Sequence, residues 1–226
     1  KTVLENQIKN NKLKGAYLFT GSAGVGKTTS ARIIAGMMNE HKGRPIEMDC
    51  ASHNGIEDMR KIIDDCRSRP IGTKYKIFIL DECHMLTIQS WNGLLKLLEE
   101  PPEYVILLLC TTNPEKIPGT ILSRVQRFNL ARISTQGIIN RLKHIIDSEN
   151  KDFMQSQDLS ESEIQLRNQL IQENKPYIQY EDSAISYIAR LAKGGMRDSI
   201  TNLEKCLDYS RDLTLDNVHT ILSGGV

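Results

Sequence analysis

Two short segments carry residue types whose spacing points to chemistry on a phosphate. "GSAGVGKT", Gly21 to Thr28, has the form G-x-x-x-x-G-K-T. Glycines in such a loop let the backbone wrap a polyphosphate with several N–H groups turned inward, and the helix starting near Lys27 aims its positive dipole end at the same charge. In that arrangement Gly21, Ser22, Ala23, Gly24, Val25 and Gly26 form the cradle. Lys27 reaches the β- and γ-phosphates, the Thr28 hydroxyl ligates Mg²⁺, and Thr29 closes the binding stretch. A chance glycine turn has no reason to fall between a strand and a helix, and this one does.

"KIFILDECH" is the second segment. Four apolar residues end in Asp81-Glu82, which puts two carboxylates at the carboxyl end of a central strand, where α/β sheets bind ligands. Asp81 is expected to hold Mg²⁺, and Glu82 to polarise an attacking water. An acidic pair at a strand end is common by itself; coupled to the Lys27 loop upstream, it indicates nucleotide hydrolysis. "DECH" also resembles the D-E-x-H box of superfamily two helicases. Those enzymes need a second motor domain, for which this chain leaves no room, so His84 reads as a structural or solvent-facing residue. Beside these segments, "LLLCTTNPEKIPGTILSR" delivers Thr111, Thr112 and Asn113 at another strand tip, where they can hydrogen-bond a γ-phosphate or the attacking water. Two arginines stand out further on. Arg124 follows Ser123 in "TILSRVQRF", whereas Arg127 reads as an ordinary solvated side chain. Arg197 opens a helix in "KGGMRDSI", against the helix dipole, so its position asks for an anion.

The elements that must position these residues alternate. Strands are expected at "AYLFT", "PIEMDC", "KIFILD", "VILLLCTT" and "VQRFNL", with helices over "KTTSARIIAGMMNE", "GIEDMRKIIDDC" and "TIQSWNGLLKLLEE". Continuously apolar strands alternating with helices imply a parallel sheet covered on both faces. After "VQRFNL" the strand signals stop, and residues 134–149, 181–193, 196–209 and 214–222 read as helices. The expected organisation is an α/β domain over 1–131 and a small helical domain over 132–226. Within the second lies a polar, glutamine-rich insertion at 150–176, with one helix from about Ser160 to Glu173.

Composition excludes more than it proposes. The 226 residues are 39% hydrophobic and 25% charged with a formal net charge of +1, so no bulk field draws the chain onto nucleic acid. Five scattered cysteines with no C-x-x-C spacing fit reduced thiols in a cytoplasm and give no zinc framework. No apolar run is long enough to cross a membrane, and no membrane partner is expected. The first residue is lysine, so the chain reads as trimmed.

"AYLFTGSAGVGKTTSARIIA", "DECHMLTIQSWNGLLKLLEEPPEYVILLLCTTNPEKIPGTILSR" and "GGMRDSI" together resemble the gamma/tau ATPase subunits of the bacterial DNA polymerase III clamp loader. More distantly they are similar to the small subunits of replication factor C. The resemblance implies an AAA+ P-loop ATPase with a helical lid. Such subunits use ATP and Mg²⁺ in a five-membered ring with other clamp-loader subunits, opening a sliding clamp and loading it on primed DNA for the replicative polymerase. By the same resemblance Lys27 and Thr28 are Walker A residues, Asp81 and Glu82 the Walker B pair, Thr112 the first sensor and Arg197 the second. Arg124 falls on the family's serine-arginine-cysteine motif, at the subunit edge facing the neighbour's ATP. The two arginines thus read as unspent candidates for transition-state charge.

Three departures qualify the match. Val125 replaces the cysteine of that motif. "MMNEHKGRPIEMDC" crosses the interval of the family's four-cysteine module without it, so no zinc is expected. The 150–176 segment is longer than the lid helices need. These departures describe a divergent member, with phage and bacterial origin both open. The family's upstream adenine contacts and C-terminal collar are absent from the sequence, so the chain alone is expected to be monomeric and a poor ATPase. Two rival readings stand beside this one: a branch-migration helicase, and a non-catalytic ring subunit that binds nucleotide or none. "LLKLLEEPP" with "ILSR" disfavours the first; intact Lys27, Glu82 and Arg197 disfavour the second.

Overall fold

The computed structural model describes residues 2–224 of the chain. Lys1, Gly225 and Val226, at the outer ends of the two expected domains, lie outside the described residues. The chain divides into two compact units, Lys1–Ala131 and Arg132–Val226.

In chain order the first unit holds α1 (Thr2–Lys9), β1 (Ala16–Thr20), α2 (Lys27–Met38), β2 (Ile46–Asp49), α3 (Ile56–Asp65), β3 (Lys76–Asp81), α4 (Ile88–Glu99), β4 (Val105–Thr111), α5 (Gly119–Leu122) and β5 (Gln126–Asn129). The five strands form one parallel sheet in the order β2-β3-β4-β1-β5. Alternate residues along each central strand serve opposite faces. Leu18, Phe78, Leu80, Leu107 and Leu109 pack with Met59 and Ile62 of α3 and Trp91, Leu94 and Leu98 of α4. Tyr17, Phe19, Ile77, Ile79, Ile106 and Leu108 turn the other way, onto Leu4 of α1 and Ala31, Ala35 and Met38 of α2. Both faces are therefore covered, which is why these strands are apolar without alternation.

The strand order positions the chemistry. β4 lies between β1 and β3, so its carboxyl end sits between the end of β1, where the glycine loop begins, and the end of β3, where Asp81 stands. Thr20 is level with Thr111, and Leu80 with Leu109. The α4 helix is fixed at its start by Thr87, whose hydroxyl accepts the Ser90 N–H at 3.1 Å, and the buried Ser90 hydroxyl donates to the Asn54 carbonyl at 2.6 Å.

The second unit holds α6 (Thr135–Gln155), α7 (Glu161–Glu173), β6 (Gln179–Tyr180), α8 (Asp182–Leu191), α9 (Met196–Tyr209), β7 (Asp212–Leu213) and α10 (Leu215–Leu222). Its core is built from Ile138, Leu142 and Ile146 of α6, Ile185 and Ile188 of α8, Leu203 of α9 and Val218 of α10. Two sequence expectations are corrected here. Strand pairing does not stop at residue 130: β6 and β7 pair in parallel, though each is only two residues long. The helix expected to end at residue 149 runs on to Gln155, because Phe153 is buried and stacks on Tyr177 with ring centroids 3.7 Å apart. The helix expected within 150–176 is α7, started by a reciprocal capping box between Ser160 and Glu163. Among the described residues no helix is long and apolar enough to cross a membrane.

Candidate active site

The glycine loop leaves β1 at Gly21 and enters α2 at Lys27. Gly21 has φ 151°, and a β-carbon there would meet the Leu130 carbonyl oxygen at 2.5 Å, so the site admits only glycine. Gly26 occupies the helix N-cap at φ 93° and offers no side-chain cap. By contrast α4, α6, α7 and α10 each begin on a Ser or Thr that accepts from the first turn. The first-turn N–H groups of α2 are thus left to meet an anion. Lys27 is only 5% exposed, and its ammonium donates to the Gly21 carbonyl at 3.1 Å and the Ser22 carbonyl at 3.0 Å. An ammonium has three protons, and two are engaged here. The loop has the donors, charge and backbone freedom that a polyphosphate requires.

Thr28, one residue into the helix, donates its hydroxyl proton to Asp81 Oδ2 at 2.7 Å. Asp81 Oδ1 accepts the Glu82 N–H at 3.0 Å. A hydroxyl and a carboxylate in contact are a donor set suited to Mg²⁺, which takes few protein oxygens and completes its shell with water and substrate phosphate. Among the described residues no group of three or more His, Cys, Asp or Glu side chains comes together to hold a metal ion.

Glu82 departs from the strand. Its backbone is left-handed, φ 46° and ψ 43°, a conformation that costs a non-glycine residue about 1–3 kcal/mol. The turn sends its side chain across to the end of β4. There Glu82 Oε2 accepts the Thr112 N–H at 3.2 Å and lies 3.0 Å from the Thr112 hydroxyl, which is also 2.8 Å from Asn113 Oδ1. Thr111, fully buried, accepts the Asn113 N–H at 3.0 Å and so shapes the tip that presents Thr112. Beneath this web, burial pushes the Cys110 thiol up to about 12, with Asp81 adding to the rise and Lys27 opposing it.

His84 was expected to be structural or to face solvent. Its side chain is 9% exposed, with Nδ1 at 3.3 Å from Glu82 Oε2 and 3.1 Å from Thr111 Oγ1. Sequence spacing could not show the Thr111 contact, which depends on β4 lying next to β3.

Arg124 was expected to be unspent. It follows α5 and pairs with Glu99 at the end of α4, at 2.6 Å, while its other terminal nitrogen donates to the Thr120 carbonyl at 2.6 Å and to Ser123 Oγ at 3.2 Å. Both partners are partly exposed, Arg124 at 33% and Glu99 at 49%. Glu99 belongs to "LLKLLEEPP", and no feature of the sequence marks it as the arginine's partner. Arg127 donates to the Leu122 carbonyl at 3.1 Å. Arg197, the second residue of α9 in the second unit, is exposed, and its side chain has no hydrogen bond or ion pair among the described residues. The first unit therefore gathers the loop residues 21–29 with Asp81, Glu82 and Thr112 at one end of its sheet. Arg124 lies apart on the α4–α5 surface.

Comparison with known proteins places this geometry. Residues 46–134 match the family described as DNA polymerase III, delta subunit. Over 99% of its length the chain is 36% identical to the DNA polymerase III subunit tau of Bacillus subtilis and 34% identical to the tau/gamma subunit of Haemophilus influenzae. Over 91% of its length it is 33% identical to the tau subunit of Escherichia coli. It spans between 31% and 38% of the length of these curated relatives. Among solved structures, the RuvB Holliday junction branch migration motor of Thermotoga maritima superposes with a TM-score of 0.67 at 19% identity, covering 99% of this chain and 66% of that one. A DNA polymerase III gamma subunit-related protein of the same organism gives 0.52 at 18% identity, covering 97% of both chains. These structural likenesses establish an AAA+ α/β P-loop fold. The sequence likeness goes further: at 33–36% identity sustained over nearly all its residues, the chain is similar to the DNA polymerase III gamma/tau subunits, which supports assignment to that family.

Proposed function

We propose that this chain is an ATP-hydrolysing motor subunit of a replication clamp loader. In this reading it works in a five-membered ring in the cytoplasm, opening a sliding clamp and loading it on primed DNA for the replicative polymerase. The observation that carries the reading is the convergence of Lys27, Thr28, Asp81, Glu82 and Thr112 at one end of a single parallel sheet.

The chemistry follows from what each group can do. The loop N–H groups and Lys27 bind the polyphosphate, and Thr28 with Asp81 would hold Mg²⁺. When bound, that ion neutralises charge developing on the phosphate oxygens. Glu82 orients the attacking water and takes its proton as the water oxygen closes on the terminal phosphorus. The bond from phosphorus to the bridging oxygen breaks, leaving ADP and inorganic phosphate. Thr112 couples the carboxylate to the strand tip as the first sensor, and Arg197 acts as the second.

Arg124 is proposed to serve the neighbouring subunit's ATP. Its pairing with Glu99 is compatible with that role. An exposed ion pair contributes about 0–1 kcal/mol, so a triphosphate brought up by a neighbour can draw the guanidinium away. The test is the ATPase rate of the full-length subunit assembled with its ring partners, with and without primed DNA and candidate sliding clamps. Stimulation by both together is expected. A rate indifferent to both would remove the clamp-loading reading while leaving an ATPase, and would return attention to the branch-migration alternative that shares this fold.

A further inference from the structure

At the end of the sheet opposite the glycine loop lies a cleft of about 560 Å³, walled by the turns that lead into β1, β3 and β4. Lys14, Arg69 and Lys74 line it, and Glu103 is the one carboxylate of its wall among the described residues. The Lys14 ammonium and the Arg69 guanidinium have no hydrogen bond or ion pair among the described residues. Lys74 Nζ donates to the uncharged Asn11 Oδ1 at 2.6 Å. Arg67 and Lys76, close by in sequence, are instead matched with Asp64 and Asp65. Glu103 pairs with none of the three cations of the cleft. The wall therefore carries a surplus of positive charge that no side chain of its own neutralises.

Two tyrosines hold these cations in place. Arg69 lies over the Tyr104 ring at 5.1 Å from its centroid, and Lys74 over the Tyr75 ring at 5.2 Å. Both hydroxyls are spent on the protein: Tyr104 donates to the Cys66 carbonyl at 3.0 Å and Tyr75 to Asn11 Oδ1 at 2.9 Å. The tyrosines thus offer rings rather than hydroxyls, and each ring keeps a cation at the wall. A guanidinium has its five N–H donors in its plane, where they suit an oxyanion, and its face can stack on a nucleobase. The volume falls within the range of about 300–1,000 Å³ that admits a small organic ligand. An acidic peptide would meet the charge but would leave the rings without a use.

We propose that this cleft binds a nucleoside phosphate, either a free nucleotide or the end of a single strand. Lys14, Arg69 and Lys74 take the phosphate, and the walls at Tyr75 and Tyr104 take the base. With a net charge of +1 the chain has no general attraction for nucleic acid, so this affinity is local to the cleft. It is separate from the ATP site and does not rest on the clamp-loading reading.

The experiment uses the full-length chain carrying Lys27→Ala, so that the glycine loop does not compete. Calorimetry measures binding of dTMP, tetrathymidylate with a terminal phosphate, inorganic phosphate and hexaglutamate. Binding of dTMP as tight as that of the strand identifies a free nucleotide as the ligand; much tighter binding of the strand identifies a strand end. In the added double variant Arg69→Gln with Lys74→Gln, affinity should fall at least about tenfold, as loss of hydrogen bonds to a charged group does. Glu103→Gln should raise affinity about twofold to fivefold by removing the one repelling charge, a gain that a damaged fold would not produce. The proposal is overturned if neither dTMP nor the strand binds, or if their binding is indifferent to the double variant. Inorganic phosphate binding as tightly as dTMP would show that no base is held, and hexaglutamate binding as tightly would make the cleft a site for an acidic segment; either result also overturns it.

Discussion

Glu82 and Arg124 carry charges expected to act on phosphoryl transfer, the first at the chain's own nucleotide and the second at a neighbour's, yet the molecule holds them in different ways. Glu82 is bent into a left-handed turn and tied to the end of β4 by the Thr112 N–H and hydroxyl. Arg124 lies on the surface beyond a four-residue helix and is paired with the half-exposed Glu99. Two hydrogen bonds at the tip of a buried strand fix the first; the second can leave its partner for little free energy. The difference suggests a division of labour. On the proposed function, groups serving the chain's own nucleotide are preorganised, and the arginine proposed to serve another subunit is held loosely until something arrives with more charge than Glu99.

The largest effect expected is on the loose side. Arg124→Ala should keep nucleotide affinity in the isolated chain but lower clamp- and DNA-stimulated hydrolysis in the assembled complex by about 10³–10⁵, the usual value of a transition-state arginine. Loss of affinity in the isolated chain would place Arg124 in its own site and dissolve the contrast. On the fixed side, Glu82→Gln should slow single-turnover hydrolysis by roughly a hundredfold or more with binding near normal. If a fluorescent-nucleotide titration shows binding failing equally, Glu82 is a metal ligand or a structural group instead.

Glu99→Gln probes the weakness of the surface pair directly. It should change stimulated hydrolysis by less than about fivefold, because an exposed pair is worth at most about 1 kcal/mol. A collapse as deep as that of Arg124→Ala would show that Glu99 builds the arginine's working position.

The interior of the first unit offers a pH test. Burial pushes the Cys50, Cys66 and Cys110 thiols up to about 12 from an ordinary 9.0. The folded chain thus keeps protons that the unfolded chain loses. Stability from this source is complete below pH 9 and falls as pH rises toward 12. Thiol titration with a disulfide reagent at pH 8 should find these cysteines silent until the chain is denatured. The smallest effect is local: Ser160→Ala removes the capping box of α7 and should cost about 1 kcal/mol in the melting of the second unit.

Much of the first unit was legible in the sequence because its signals are local. The β3 and β4 strands are apolar on both faces along their middles, Ile77–Leu80 and Val105–Cys110, since both sheet faces are covered, and the glycine loop between β1 and α2 declares itself by type and spacing. Legibility failed where distant residues decide. The β6 and β7 strands are too short for any periodicity to register, and α6 extends through Gln155 because Phe153 finds Tyr177 beyond an entire intervening helix. The placement of His84 against Thr111 depends on β4 lying next to β3, an order that sequence spacing does not encode. Arg124 could be singled out, but not its pairing with Glu99, which the packing of α5 beside α4 creates.

The central claim is that a fixed site in one subunit waits for a loose arginine from the next. The most direct measurement mixes full-length subunits carrying Arg124→Ala with subunits carrying Lys27→Ala and follows stimulated ATP hydrolysis in the reconstituted ring. Each variant alone should be inactive. If Arg124 acts on the neighbour, some interfaces join the intact nucleotide site of the first to the intact arginine of the second, and activity partly returns. If Arg124 serves its own site, no interface contains a complete set of groups and the mixture stays as inactive as either variant alone, which would contradict the division between the two regions.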